Sequence, residues 1–300
     1  MTTLGREEAS LFASALTRAV FGEKIELCSI INAKSGGCSN DCRFCAQSSY
    51  NKTGRAVSPI PEASELIKKI YLLNNPFVSH IGLVAAGRAM DFSELAKICE
   101  AIEILPPSLK NKICLSFGTL DERSFELIKA AGIRRYHHNL ETSRAFYPRI
   151  CSTQSWDSRA RAVRMALDAG LEVCSGFLFG MGESWEDRID LAFSLKELGV
   201  RNIPMNFLIP IPGSPLENSP RMTIDNIIWS AIIFRLILPD ASLRICAGRL
   251  PELAMGDLFK AGVDAMMTGD FLTTKGSELE RDLEILRENG LRARTVEQFI

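Results

Sequence analysis

About eight times along this chain a short β-rich run gives way to a longer helical pattern, and that rhythm limits the fold more than any other feature. The β-rich runs start near IELCSI, FVSHIGLVA, KICLSFG, IRRYHHNL, LEVCSGFLF, NIPMNFLI, SLRICA and VDAMMTG. Apolar residues at helical spacing lie between them, as in PEASELIKKIYLL, FSELAKICEAIEIL, DERSFELIKAAG, SWDSRARAVRMALDAG, SWEDRIDLAFSLKELG, TIDNIIWSAIIFRLIL and SELERDLEILRENG. PELAMGDLFKAG makes a shorter helical link. Gly132, Gly170, Gly199 and Gly262 each follow a helix, where a left-handed C-cap residue belongs. Eight βα units predict an α/β fold, a TIM-type (β/α)8 barrel, over an open doubly wound sheet. A partial or split barrel is the alternative. A barrel can use all 300 residues, so 1–300 reads as a single domain with 1–24 as an N-terminal helical extension.

The balance of 46% hydrophobic and 24% charged residues is that of an ordinary globular chain, and a net charge of −1 gives no phosphate-tracking surface. No nucleic-acid partner is expected. MTTLGREEASLFASALTRAV reads as an amphipathic helix and lacks the basic start and apolar run of a secretion signal. The most apolar later stretch, IIWSAIIFRLILP, is broken by Arg235 and is too short for a bilayer, so no membrane role is expected. Nine cysteines without such a signal point to reduced thiols serving as ligands in the cytoplasm.

Three of those thiols, Cys38, Cys42 and Cys45, fall within eight residues in the loop after the first strand. Together they can hold one compact metal centre, and Gly36-Gly37 lets the backbone wrap around it. Thiolates are the ligands of iron–sulfur clusters, and three of them leave one iron of a four-iron cubane open to a small molecule. A structural zinc site with a distant fourth ligand is the competing reading.

Barrel strands are buried on both faces, so polar residues on them need a reason. Alternation puts Ile113, Leu115 and Phe117 on one face and Cys114 on the other, with Lys112 and Ser116. In the same way Leu171 and Val173 oppose Glu172 and Cys174, and Leu243 and Ile245 oppose Arg244 and Cys246. His137, Asn139 and Glu141 share a face opposite His138 and Leu140, and Asn206 opposes Met205 and Phe207. Turning the polar set inward makes the lumen a lined cavity. Each residue alone has a plainer use: a strand cysteine can be small core, Asn206 can satisfy a backbone group, and Arg244 can pair with Glu172. His80, His138, Cys28, Cys99 and Cys151 are read as structural.

The arrangement C-x3-C-x-aromatic-C, with Phe44 as the aromatic, resembles the signature of the radical S-adenosylmethionine superfamily. The likeness to biotin synthases runs from about residue 25 to residue 290, densest at CSNDCRFCAQSS, NKTG, YHHNLETS, DAGLEVCSGFLFGMGE, NFLIPIPGSPL, LRICAGR and FLTT. It implies a 4Fe–4S cluster on Cys38, Cys42 and Cys45 whose open iron chelates S-adenosylmethionine and whose electron releases a 5′-deoxyadenosyl radical. It implies cofactor contacts from Phe44, Asn139, Glu141, Arg159 and Leu178, the last within the run Gly176–Glu183. It also implies that His137, Asn139, Asn206, Thr273 and Thr274 contact dethiobiotin, into which sulfur is inserted at unactivated carbons. Glu141 stands where the family has aspartate, and His137 where it usually has asparagine. Outside the resemblance, Thr273 and Thr274 read as a helix N-cap and Gly176–Glu183 as a turn entering a helix.

Biotin synthases also carry a 2Fe–2S cluster on three cysteines and an arginine, the source of the inserted sulfur. Cys114, Cys174 and Arg244 match three of those positions, while the fourth, on the second strand, is Gly82. Cys246 stands two places after Arg244 on the same face. The expectation is an auxiliary cluster on Cys114, Cys174 and Cys246, with four irons in place of two and with Arg244 balancing charge. The resemblance further implies a flavodoxin or ferredoxin as electron donor, and a homodimer. A sister enzyme of the hydrogenase-maturase or methylornithine-synthase kind, without sulfur insertion, is the enzyme alternative. An iron–sulfur electron carrier is the non-enzyme one.

Overall fold

The fifth β-rich run contains the dipeptide Ser175-Gly176, and the strand breaks there. In the computed structural model, which describes residues 5–249, 254–270, 272 and 276–296, the run forms two short strands instead of one. The strands are β1 (Lys24–Lys34), β2 (Val78–Ala85), β3 (Ile113–Ser116), β4 (Arg135–His137), β5 (Glu172–Cys174), β6 (Phe177–Phe179), β7 (Asn202–Phe207), β8 (Ser242–Ile245), β9 (Ala265–Met267) and β10 (Arg292–Ala293). All pairings between them are parallel, in the order β10-β1-β2-β3-β4-β5-β7-β8-β9, with β6 also on β7. β1 pairs with β9 as well as β2, so the sheet closes. With β5 and β6 as one broken stave this is the expected eight-stave barrel, and β10 adds a short outer strand at its edge. At the break β7 comes so close that position 176 requires glycine: a Cβ there would lie 1.9 Å from the Pro204 carbonyl oxygen.

Helices wrap the barrel: α1 (Arg6–Phe21), α2 (Ala63–Leu73), α3 (Phe92–Glu103), the single turn α4 (Pro107–Lys110), α5 (Glu122–Ala130), α6 (Trp156–Asp168), α7 (Trp185–Leu198), α8 (Ile224–Ile237), α9 (Met255–Lys260) and α10 (Leu279–Glu288). Five of them start on a side-chain cap, from Asp91, Asp121, Ser155, Ser184 and Thr223. The four expected C-terminal glycines all have positive φ, from 79° to 105°. The main core lies between strands and helices, where Ile113, Leu115, Val173, Ile203, Met205, Leu243 and Ile245 are fully or almost fully buried. Arg235, which interrupts the apolar α8, is itself buried. Its guanidinium binds Asp264 at 2.6 Å and the Gly262 carbonyl at 2.7 Å, so the charge is paired. α1 packs on α8 and α9, with Thr17 donating to Gly262. Among the described residues no helix is long and apolar enough to cross a membrane.

Candidate active site

A cavity of about 300 Å³ runs down the lumen from the C-terminal mouth of the strands. At the mouth, the loop after β1 turns through Gly36 and Gly37, both at φ near 68°. A Cβ at Gly36 would meet the Ala56 carbonyl oxygen at 2.9 Å, so this turn requires glycine. Backbone and side chains together hold the loop: Cys38 N–H donates to the Gln47 carbonyl, Cys45 N–H to the Cys42 carbonyl, and the Asn51 side-chain amide to both the Cys42 and Cys45 carbonyls. Asp41 accepts from Ser152 and Thr153, which ties the loop to the segment after β4. Cys42 is buried among Phe146, Tyr147, Ile150, Cys151 and Leu208, with Phe44, Cys45 and Leu178 against that cluster. Burial pushes the Cys45 thiol up to about 11, with Cys38 also adding to it, so metal loading must displace protons.

Below the mouth, β4 and the residues after it turn His137, Asn139 and Glu141 into the cavity, as alternation requires, with Leu178 of β6 and Asn206 of β7 facing them. Glu141 is the one residue other than glycine with positive φ among those described, at 72°. Its backbone is over-determined: its N–H donates to Gly176 and its carbonyl accepts from Leu178. The Glu141 carboxylate pairs with Arg159 at 3.2 Å, and burial raises its pKa. Arg159 also donates to the Asn139 carbonyl at 2.6 Å and to Gln154, so its guanidinium is already engaged. The Asn206 amide donates to the Phe177 carbonyl and accepts from Ala247 N–H, which is the backbone-satisfying use. One N–H and one lone pair of that amide remain for a ligand. Burial lowers His137 to about 4, so its imidazole is neutral. Thr273 and Thr274 lie outside the described residues.

The floor carries the buried charge. Cys28, Cys114, Cys174, Arg244 and Cys246 all line it. Arg244 binds Glu26 and lies 3.7 Å from the Cys174 sulfur. Glu26 also lies 3.5 Å from His80, 3.6 Å from Arg135 and 3.4 Å from Arg294. Burial alone would raise the Glu26 carboxyl, but the guanidiniums of Arg244, Arg135 and Arg294 outweigh it and hold the group at about 2, while burial keeps His80 neutral. Glu172, expected as the possible partner of Arg244, is instead exposed and pairs with Arg135 at 2.7 Å. That reading fails because Glu172 begins its strand, where the side chain reaches solvent below the barrel. Glu183 likewise turns away from a ligand role: it accepts from Gly180 and Met181 N–H and pairs with Arg188, which staples the turn before α7.

Sequence reasoning missed Cys28, Glu26 and the floor roles of His80 and Arg135. The signal was there. In IELCSI, Glu26 and Cys28 alternate with Ile25 and Leu27, the same parity that exposed Cys114 and Cys174.

The model of the Radical SAM superfamily matches residues 33–195, and that of the Biotin and Thiamin Synthesis associated domain matches residues 204–292. Biotin synthase of Desulfovibrio desulfuricans is 43% identical over 97% of this chain and 93% of its own length. That of Acetivibrio thermocellus is 41% identical over 95% and 89%. The chain belongs to the biotin synthase family. It is therefore a radical S-adenosylmethionine enzyme. Among solved structures, methylornithine synthase superposes with a TM-score of 0.81 at 19% identity, covering 99% of this chain and 91% of that one. The FeFe-hydrogenase maturase from Carboxydothermus hydrogenoformans gives 0.80 at 19%, covering 97% and 72%. At such identity these neighbours share the barrel, and the sequence relatives favour biotin synthase over the sister enzymes.

A biotin synthase needs sites for a 4Fe–4S cluster and S-adenosylmethionine, and the residues fit. Cys38, Cys42 and Cys45 lie in one loop at the mouth, and of the three Cys45 lines the cavity. The Nε of Arg244 is buried without a hydrogen-bond partner on the floor, and the Nδ1 of His80 likewise. The orphaned Arg244 donor beside four buried thiols suits an anionic group bound among them, whereas neutral His80, with Nε2 toward Glu26, leaves Nδ1 as an acceptor.

Proposed function

We infer that this enzyme converts dethiobiotin to biotin within the lumen, holding two iron–sulfur centres at opposite ends of one cavity. The observation that supports this best is that Cys45 at the mouth and Cys114, Cys174 and Cys246 at the floor line the same cavity. When bound, the mouth cluster and S-adenosylmethionine supply hydrogen-atom abstraction from unactivated C–H bonds, which no tuned acid or base can deprotonate. Cys38, Cys42 and Cys45 hold the cluster, and Phe44 and Leu178 form apolar walls for the cofactor. Asn139 and Glu141 meet its polar groups, and Arg159 fixes both by its contacts to the Asn139 carbonyl and the Glu141 carboxylate. A cofactor carboxylate reaching Arg159 would compete with Glu141 for the guanidinium.

Asn206, His137 and Asn139 orient dethiobiotin between the two centres, and Thr273 and Thr274 receive its carboxylate. Neutral His137 offers one donor and one acceptor to the ureido ring. Cys114, Cys174 and Cys246 would hold an auxiliary cluster, which would supply the sulfur, and Arg244 would balance its charge. The narrow, apolar-walled lumen excludes water and keeps the reacting carbons close to both centres. By family likeness the electron comes from a flavodoxin or ferredoxin, and the enzyme works as a cytoplasmic homodimer.

The test is anaerobic reconstitution with iron, sulfide, reductant, S-adenosylmethionine and dethiobiotin, followed by mass analysis. Biotin and 5′-deoxyadenosine together are expected. Deoxyadenosine with dethiobiotin untouched would overturn the sulfur-insertion reading.

A further inference from the structure

We propose that Cys28 is a fourth protein ligand of the iron–sulfur cluster on the lumen floor, replacing the thiol that β2 lacks. This rests on the reading that such a cluster exists there, and it assigns the coordination position that Cys114, Cys174 and Cys246 leave open.

The strand register carries the argument. Cys28 lies opposite Met267 of β9, and Ile245 of β8 lies opposite Met266. Cys246, one residue further on, is therefore level with Met267 and Cys28, and these three side chains pack as one buried cluster. Cys28 also faces the same cavity as Cys114 and Cys174.

β2 offers no substitute. Gly82 pairs with Ile30 of β1, and a Cβ built on Gly82 would meet the Ile30 Cγ2 at 3.1 Å. Ile30, two residues after Cys28 on the same face, fills the space a side chain from β2 would need. The thiol missing from β2 thus reappears on the neighbouring strand. Arg244 is committed to Glu26 by a buried ion pair, which favours charge balance over ligation. Four thiols are the complement that closes a two-iron or four-iron cluster. A plain packing role for Cys28 against Met267 is the reading to beat.

The experiment uses the full chain carrying Cys38→Ala, Cys42→Ala and Cys45→Ala, so that only lumen iron reports. After anaerobic reconstitution, iron, acid-labile sulfide and Mössbauer spectra are compared with and without Cys28→Ser, and with Cys99→Ser as control. Adding Cys28→Ser is expected to change the parameters of one iron site and to lower iron retained against a chelator at least twofold; Cys99→Ser is expected to change neither. Identical spectra and retention would show that Cys28 only packs. Absence of lumen iron already in the triple variant would overturn the auxiliary-cluster reading, and Cys28 with it. Should the serine variant fail to fold, Cys28→Sec in the same background keeps the question open to measurement. Selenium-edge absorption should then show iron at bonding distance, and a selenium with only light neighbours would overturn the assignment.

Discussion

The mouth and the floor of the lumen both gather thiols, but they are built in opposite ways. At the mouth, three cysteines within eight residues are set by one glycine-turned loop and its short-range backbone and side-chain hydrogen bonds. At the floor, Cys28, Cys114, Cys174 and Cys246 come from β1, the β3 and β5 staves and the end of β8, and only barrel closure makes them neighbours. The floor adds a buried charge cluster of Glu26, Arg244 and Arg135, whereas the mouth relies on short-range hydrogen bonds from peptide groups, Asn51 and Asp41. A local site tolerates global loosening; a site assembled across the sheet does not.

The sharpest way to break the comparison is to remove one mouth thiol. Cys42→Ala should lower S-adenosylmethionine cleavage by roughly 10³-fold, about 4 kcal/mol in the barrier, while lumen iron persists. Parallel loss of floor iron in that variant would show that the two sites are not independent.

Next comes the charge beneath the floor. Glu26→Gln leaves Arg244 and Arg135 less compensated and should cost about 3 kcal/mol in the metal-free protein, read by denaturant melts. The sign with pH follows from linkage. Glu26 is held at about 2 in the fold, below its ordinary 4.5. Its ~3 kcal/mol is therefore complete above pH ~4.5 and is lost as pH falls toward ~2. The gap between wild type and Glu26→Gln should narrow over that window; a constant gap would contradict the buried pairing.

A smaller effect is expected at the mouth turn. Gly36→Ala forces a left-handed residue against the Ala56 carbonyl and should cost about 1–2 kcal/mol, with mouth iron weakened and floor iron unchanged. The smallest belongs to Glu172→Gln, since an exposed carboxylate on Arg135 contributes less than about 1 kcal/mol. A larger loss there would mean that Glu172, and not Glu26, is the main anchor of Arg135.

Much of this was legible in residues alone. The helical and strand periods predicted the barrel, alternation predicted that Cys114, Cys174, Cys246, His137, Asn139 and Asn206 face inward, and the sequence put Cys38, Cys42 and Cys45 in the one loop that lies at the mouth. The need for glycine at 176, where the fifth run breaks, was not legible, because it depends on how closely the Pro204 carbonyl approaches. Nor was the partner of Arg244: parity allowed Glu172, but height along the lumen decides for Glu26, and height depends on the stagger between strands. The resemblance implied Arg159 as a cofactor contact, and only the fold shows it already bonded to Glu141 and the Asn139 carbonyl.

By itself the sequence determined what repeats or lies close along the chain: the βα alternation, the side of each strand a residue faces, and the cysteine triad with its glycine turn. Tertiary structure alone decided which distant residues share a level in the closed barrel, and so brought Cys28 to Cys246 and Glu26 to Arg244. The reason is physical. Periodicity and short loops are governed by local backbone geometry, whereas strand stagger and closure arise from packing the whole sheet at once.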